Sequence, residues 1–405
     1  MFKKPISISF GPNFQGDDTT LALELLCGLV AGTSLKNAPD ILKDSINQLF
    51  PKQEAFLFSS GRSALYYAIK SLGLSEGDEV LVQAFTCVAV PNAVVWNGLQ
   101  PKFVDIDNTY NFDLVDLEEK ISPKTKAIII QHTFGIPAAL EAIQKLAKKH
   151  KLLIIEDCAH ALGNTYDNKP LGSFGDVSIL SFGRDKIVSS VFGGAAISQD
   201  SKIAAALKNF ESQLEPAPQF FAFQQLLYLI IYAMSLPLYN LYIGKVFLKL
   251  FRVFGLLSQA VYRKEWAGSM PHFTHYAFPE KLAYLATHQL QKLDELTKHR
   301  KKLSAHYIEQ LKLDLPAAPY LRVPVIVKNK QLFLKRAQVA GLHLGNWYRG
   351  AVDPIGTDLE HLGYTTCPMA EELAKTTINL PTHINISIDD AEKIVAFVHL
   401  HKNDE

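Results

Sequence analysis

Between residues 54 and 198 short apolar runs alternate with helical patterns, and that alternation narrows the folds open to this chain more than any other feature. "EAFLFSS" reads as a strand, and "SALYYAIKSLGL" as a helix with apolar residues at helical spacing. "EGD" turns the chain into the strand "EVLVQAF", and "VAVPNAVVWNG" is a helix that ends at Gly98. The strands "KFVDID", "KAIIIQH" and "KLLIIEDC" follow, separated by the helical stretches "DLVDLEEKI" and "ALEAIQKLAKKH". "VSILSF" and "GGAAIS" complete the series. Strands alternating with helices predict an α/β fold, a mostly parallel central sheet flanked by helices. Ligands of such sheets sit at the carboxyl ends of the strands. The residues that follow each apolar run are therefore the ones to weigh.

Residues 281–311 form one long helical pattern, and beyond it "LRVPVIV", "QLFLKRAQVAGL", "KTTINLP" and "IDDAEKIVAFVHLH" make a smaller α+β unit. This places a large domain over 1–280 and a small C-terminal domain over 281–405. A chain of 405 residues, 48% hydrophobic, can bury a core in each. The formal charge is +1, with no basic arm, which argues against a nucleic-acid partner. Cys27, Cys87, Cys158 and Cys367 are far apart and show no zinc spacing, so neither a metal nor a disulfide is expected and a reduced, cytoplasmic protein is. "MFKKPISISFGPNF" has lysines but no apolar run behind them, unlike a signal peptide.

Three strand-end segments stand out. In "FSSGRSALYYAI" a strand ends at Phe58 and a helix opens near Ser63, so free backbone N–H groups and the helix dipole offer an anion cradle. Ser60, Gly61, Arg62 and Ser63 lie in that turn. In "LLIIEDCAHALG" Asp157 follows a buried-type run, where a carboxylate needs a partner such as a cationic ring nitrogen; His160 lies three residues on. In "ILSFGRDKIVSSVFGG" Ser181, Arg184 and Lys186 follow a strand. Each segment alone has a plainer reading: an ordinary helix cap, a hydrogen-bonded buried aspartate, a surface lysine. Their order favours one site in which a helix N-terminus holds a phosphate, Asp157 holds a pyridinium and Lys186 forms a Schiff base with pyridoxal phosphate (PLP).

The blocks "SSGRSALYYAIKSLGLSEGDEVLVQAFT", "PKFVDID", "SPKTKAIIIQHTFGIPA", "IEDCAHALG", "GSFGDVSILSFGRDK", "FGGAAIS", "QLQKLDE" and "CPMAEELAKTTINLP" resemble the DegT-type (DegT/DnrJ/StrS) sugar aminotransferases. The resemblance covers most of 54–200 and 280–395. It implies the PLP-dependent transferase fold of type I, PLP as cofactor and a homodimer. By position it puts Lys186 at the Schiff-base lysine and Asp157 at the pyridine nitrogen. His160 falls near the ring hydroxyl, where the family usually has glutamine, and Arg62, Ser63 and Ser181 fall at the phosphate. A sister branch with histidine at the lysine position carries out dehydration, so lysine implies transamination. Some positions depart from the family. Cys87 stands where an aromatic ring often stacks on the cofactor, leaving Phe85 as the candidate cover. Gly183 replaces a histidine. "FTHYAF" puts His275 at the residue that reaches the partner subunit and Ala277 at an arginine. Arg184 is a candidate to restore lost positive charge.

The implied reaction moves an amino group from glutamate or glutamine to a keto sugar, nucleotide-linked, with Lys186 carrying protons. The alternatives are another PLP reaction on an amino acid, or a non-catalytic regulatory or scaffold protein that kept the fold.

One segment is not explained by the resemblance. An insertion at about 214–268 contains the run 219–257, and no charged residue lies between Glu215 and Lys245. A transmembrane helix needs about 20 apolar residues. The run is long enough, yet one crossing would strand the C-terminal domain on the wrong side. Lys245, Lys249 and Arg252 then fall at i, i+4 and i+7 of an apolar helix, a pattern suited to a membrane interface. Packing against a dimer partner is the competing expectation. The first reading places the enzyme on the inner face of the membrane.

Overall fold

A computed structural model describes residues 5–9, 11–239 and 243–404. Seven strands form one sheet: β1 (Glu54–Phe58), β2 (Glu79–Gln83), β3 (Gln100–Val104), β4 (Thr125–Gln131), β5 (Leu153–Asp157), β6 (Val177–Ser181) and β7 (Gly194–Ser198). Their order is β1-β7-β6-β5-β4-β2-β3, and every pairing is parallel except those of β7, which runs antiparallel to β6 and β1. Successive side chains of a strand point to opposite faces. Phe56, Phe58, Ile129 and Ile155 therefore enter one hydrophobic core, while Leu57, Ile128, Ile130 and Ile154 enter another behind the sheet. Both faces are covered, as continuous apolar strand runs require.

The helices that position the site are α1 (Gly16–Cys27), α2 (Gly61–Ser71), α3 (Gln219–Ser235), α4 (Ile243–Val253), α5 (Glu280–Leu290) and α6 (Leu293–Leu311). The pattern over 281–311, expected as one helix, is thus two. Lys292 leaves helical backbone at φ −90, ψ 0, and the chain turns there. Leu282, Leu285 and Ala286 of α5 belong to the core behind the sheet, whereas Leu303, Tyr307 and Leu311 of α6 pack with the C-terminal unit. That unit is built on the antiparallel strands β8 (Arg322–Ile326) and β9 (Thr377–Pro381). Strand Ile6–Ser7 pairs in parallel with Leu342–His343, so the first residues join the C-terminal unit, which a simple division at 280 does not capture.

The apolar run resolves into α3 and α4, joined by a 3-10 turn at Leu236–Leu238, and its residues 240–242 lie outside the described ones. By length and composition the stretch Gln219–Leu238 could cross a membrane. One face of α3 is packed on α1, α5 and α4, however, and buries Gln225 and Tyr228 along with its aliphatic residues.

Candidate active site

Strand register brings the three segments together. Ser181 lies opposite Gly194, Gly194 opposite Phe58, and Ile179 opposite Asp157. The start of α2, the end of β5 and the end of β6 therefore share one edge of the sheet. The approach is close: a Cβ on Gly61 would lie 2.6 Å from Ser181 Oγ, and one on Gly194 would lie 2.7 Å from the Gly61 nitrogen. Only glycine at these two positions lets the N-terminus of α2 sit against the strand ends. A cavity of about 570 Å³ opens there, lined by Ser60, Gly61, Arg62, Asp157, His160, Ser181 and Lys186 among others.

The anion cradle differs in detail from the expected one. Ser60 caps α2, its Oγ accepting from Ser63 N at 3.2 Å. Ser63 is fully buried behind it, its hydroxyl bonded to those of Ser59 (3.0 Å) and Ser60 (2.8 Å), and it is off the cavity wall. The Arg62 guanidinium turns to the buried carboxylate of Glu265 and the carbonyl of Ala260, so its charge is already paired. The residues that offer the cavity an anion site are thus Ser60, Gly61 and Ser181 at a helix N-terminus.

Neighbouring carboxylates of β5 have opposite tasks. Glu156 faces away from the cavity and is saturated by His132 Nε2 (2.9 Å) and the N–H groups of Gly172 (2.6 Å) and Phe174 (2.8 Å). It fixes the turn before β6. Asp157 faces the cavity, its Oδ1 accepting from Ala159 N at 2.9 Å. Burial raises its pKa, against the opposing pull of that N–H, of Lys186 and of His132. A cation in the cavity would be its natural counterpart.

Lys186 is held by its backbone. Its N–H donates to Gly183 O (3.0 Å), and its carbonyl accepts from Asn13 Nδ2 at 2.5 Å. Asn13 is itself buried and accepts from Arg300 at 2.7 Å. Burial pushes the ammonium pKa down, and the Arg322 guanidinium adds to that, while Asp157 opposes. His160 is buried and held neutral by desolvation, with Lys186 and Arg322 adding to it. Its Nδ1 accepts from Phe134 N at 3.3 Å, which leaves Nε2 as the N–H donor.

One expectation about the walls is corrected. Phe85 does not line the cavity; it is fully buried in an aromatic cluster with Tyr110, Phe134 and Tyr348. The aromatic wall comes instead from Trp347, whose ring stacks on His160 (5.5 Å, 11°) and lies 5.4 Å from Lys186 Nζ. Arg184 does line the cavity, and its hydrogen-bond partner is neutral, so its positive charge stays there. It donates to Ser258 O (2.9 Å) and Oγ (2.8 Å) and lies 4.6 Å over the Tyr228 ring. His275 is half-buried off the cavity, its Nδ1 3.0 Å from the Tyr67 hydroxyl.

The residues missed from the sequence are Trp347, Tyr348, Asp353 and the return segment Ser258–Val261, all on the cavity wall. Trp347 and Tyr348 lie more than 150 positions beyond Lys186 with no strand-end pattern to mark them. The cradle, the buried carboxylate, the neutral imidazole donor and the low-pKa amine together fit PLP: an anion site, a partner for a ring nitrogen, a donor for a ring oxygen and an amine for an aldehyde.

The model of the DegT/DnrJ/EryC1/StrS aminotransferase family matches residues 40–234 and 245–399. GDP-perosamine synthase of Escherichia coli O157:H7 is 42% identical over 162 residues, 40% of this chain and 44% of that enzyme. The match thus spans less than half the length of that relative. Solved structures share the fold. PseC of Helicobacter pylori, an aminotransferase involved in pseudaminic acid biosynthesis, aligns with a TM-score of 0.73 at 23% identity, covering 98% of this chain and 99% of that one. The E. coli GDP-4-keto-6-deoxy-D-mannose-3-dehydratase, described with bound hydrated PLP, aligns with a TM-score of 0.72 at 19% identity, over 98% and 99%.

Proposed function

The chain belongs to the DegT/DnrJ/EryC1/StrS aminotransferase family, and from that premise we propose that it is a PLP-dependent aminotransferase acting on a nucleotide-linked keto sugar. The observation that carries the reading is the meeting of Lys186, Asp157 and the N-terminus of α2 in one cavity. The amino donor is glutamate or glutamine. The names of relatives support the acceptor class: a GDP-perosamine synthase, a UDP-N-acetyl-3-dehydro-glucosamine 3-aminotransferase and a dTDP-amino sugar transaminase.

When bound, PLP supplies the electron sink through which an amino group passes between carbon skeletons. The chain's own residues do the rest. The amine of Lys186, its pKa lowered by burial, would take and return the proton at the substrate carbon. Asp157 would hold a proton on the ring nitrogen, His160 would donate from Nε2 to a ring oxygen, and Ser60, Gly61 and Ser181 would bind the phosphate. Trp347 walls the cavity beside Lys186, its ring 5.4 Å from Nζ. A scaffold protein would have no use for a desolvated lysine beside a desolvated carboxylate.

The enzyme is cytoplasmic in this reading, with its four free cysteines reduced. It works as a homodimer, with His275 on the face toward the partner. Light scattering tests the dimer: a mass of one chain, 45.1 kDa, contradicts it. The activity test mixes purified protein, PLP and glutamate with GDP-, UDP- and dTDP-linked keto sugars and follows 2-oxoglutarate. Release beyond one equivalent per site that needs one of these acceptors is expected; no such release with any of them, while an amino acid alone is consumed over many turnovers, would move the reading to another PLP reaction.

A further inference from the structure

Going round α4, three stripes alternate. Gly244 and Leu248 are buried, with Phe247 and Phe251 partly so, and they face the rest of the protein. Next come Ile243, Val246, Leu250 and Val253, which are 56%, 66%, 50% and 73% exposed and fall at i, i+3, i+7 and i+10. Phe254 extends this stripe at 69% exposure. The third stripe is Lys245, Lys249 and Arg252, on the far side of the bare apolar residues. At the Phe254 end, Gln224 of α3 donates to Gly255 O at 2.5 Å, and Phe220 and Phe223, also exposed, stand beside it. A water-soluble helix has one apolar face, toward its core. This one has two, and only one is covered.

The charge around the bare face names what covers it. From 216 to 264 the chain has no aspartate or glutamate, but it has Lys245, Lys249, Arg252, Arg263 and Lys264. A second copy docked by the same face would set the exposed Lys249 and Arg252 against the same two cations of the copy. An anionic surface would meet both features at once, its charge facing the basic stripe and its apolar interior taking the exposed side chains. We propose that α4 docks the enzyme on an anionic lipid surface, lying in the interface with Ile243, Val246, Leu250, Val253 and Phe254 inserted.

Docking would bear on the site. Arg252 lines the catalytic cavity, as do Ser258, Gln259, Ala260 and Val261 just beyond the helix. The cavity rim therefore lies within a helix turn of the inserted Val253. The chain from Ser258 to Glu265 holds two arginines of the cavity wall, Ser258 accepting from Arg184 and Glu265 from Arg62. A lipid-docked α4 sets the cavity rim at the headgroup layer, where a sugar made or carried at the membrane is met.

The test is flotation of the full-length protein with phosphatidylcholine vesicles, with and without phosphatidylglycerol. Binding should require phosphatidylglycerol and weaken at high salt. Val246→Glu with Val253→Glu should abolish it, and Lys249→Glu should weaken it on the order of tenfold. Circular dichroism and the melting temperature of these surface variants should match the parent. Failure of the parent to float with anionic vesicles overturns the proposal, as does equal binding to neutral ones. It is also overturned if the double variant changes the sedimentation mass instead of the binding, because the face would then join two copies. None of these readouts uses PLP or turnover, so the docking and the aminotransferase reading can fail separately.

Discussion

The strand-end cavity and the α3–α4 pair are both built from apolar chain with a few charged residues, yet they treat those residues in opposite ways. Around the strand ends of the cavity burial moves three pKa values: Asp157 up, Lys186 down, and His160 down so that it is held neutral. On α4 the apolar residues are outside and Lys249 and Arg252 lie at the surface beside them. The first arrangement makes a charge reactive by removing water. The second leaves charges in water beside bare apolar side chains, which is what the proposed lipid docking would use. The segment Ser258–Glu265 ties the two regions together.

That contrast can be broken experimentally. Lys186→Ala should lower turnover by at least about 10²–10⁴-fold, the range for a lost general acid–base, with no matching loss of stability. Kinetics and a denaturant melt on one sample would separate the two. Glu265→Gln should cost about 3–5 kcal/mol, because it leaves the enclosed Arg62 charge without its partner; an unchanged urea midpoint would mean that the tether carries little.

Acid sharpens the comparison. His383 is buried and its pKa is lowered to about 3, with its Nε2 2.7 Å from Ser7 O. The unfolded chain takes up a proton near pH 6.5 that the folded chain does not, so stability is full above that pH and falls as pH drops toward 3. His160 adds to the slope in the same direction. Melting temperatures from pH 8 to pH 4 should decline; a flat profile would contradict neutral burial of both. The smallest effect belongs to α4, where Val246→Glu should change stability by no more than about 0.5 kcal/mol. Leu248→Ala, on its buried side, should cost about 2–5 kcal/mol.

The site was legible where sheet periodicity places residues. Asp157 and Lys186 could be read because each follows a strand whose end must meet the others at one edge. Gly61 could be read for the same reason. Phe85 could not: at φ +61 its backbone turns the ring into the core, and nothing local marks that. Arg62 misled because an arginine near an anion site looks available until its partner is seen, and Glu265 is 203 positions away. The break between α5 and α6 is hidden because both helices carry one continuous apolar period, and only their different packing partners separate them. On α4 the amphipathic pattern was visible, but the second apolar face is a matter of exposure and needed the structure.

The most direct measurement is the visible spectrum of the purified protein with PLP, parent and Lys186→Ala, before and after glutamate. The account predicts a visible band in the parent that Lys186→Ala lacks and that glutamate bleaches. A parent that gains no band with PLP, or a Lys186→Ala variant with the parent's band, would contradict it.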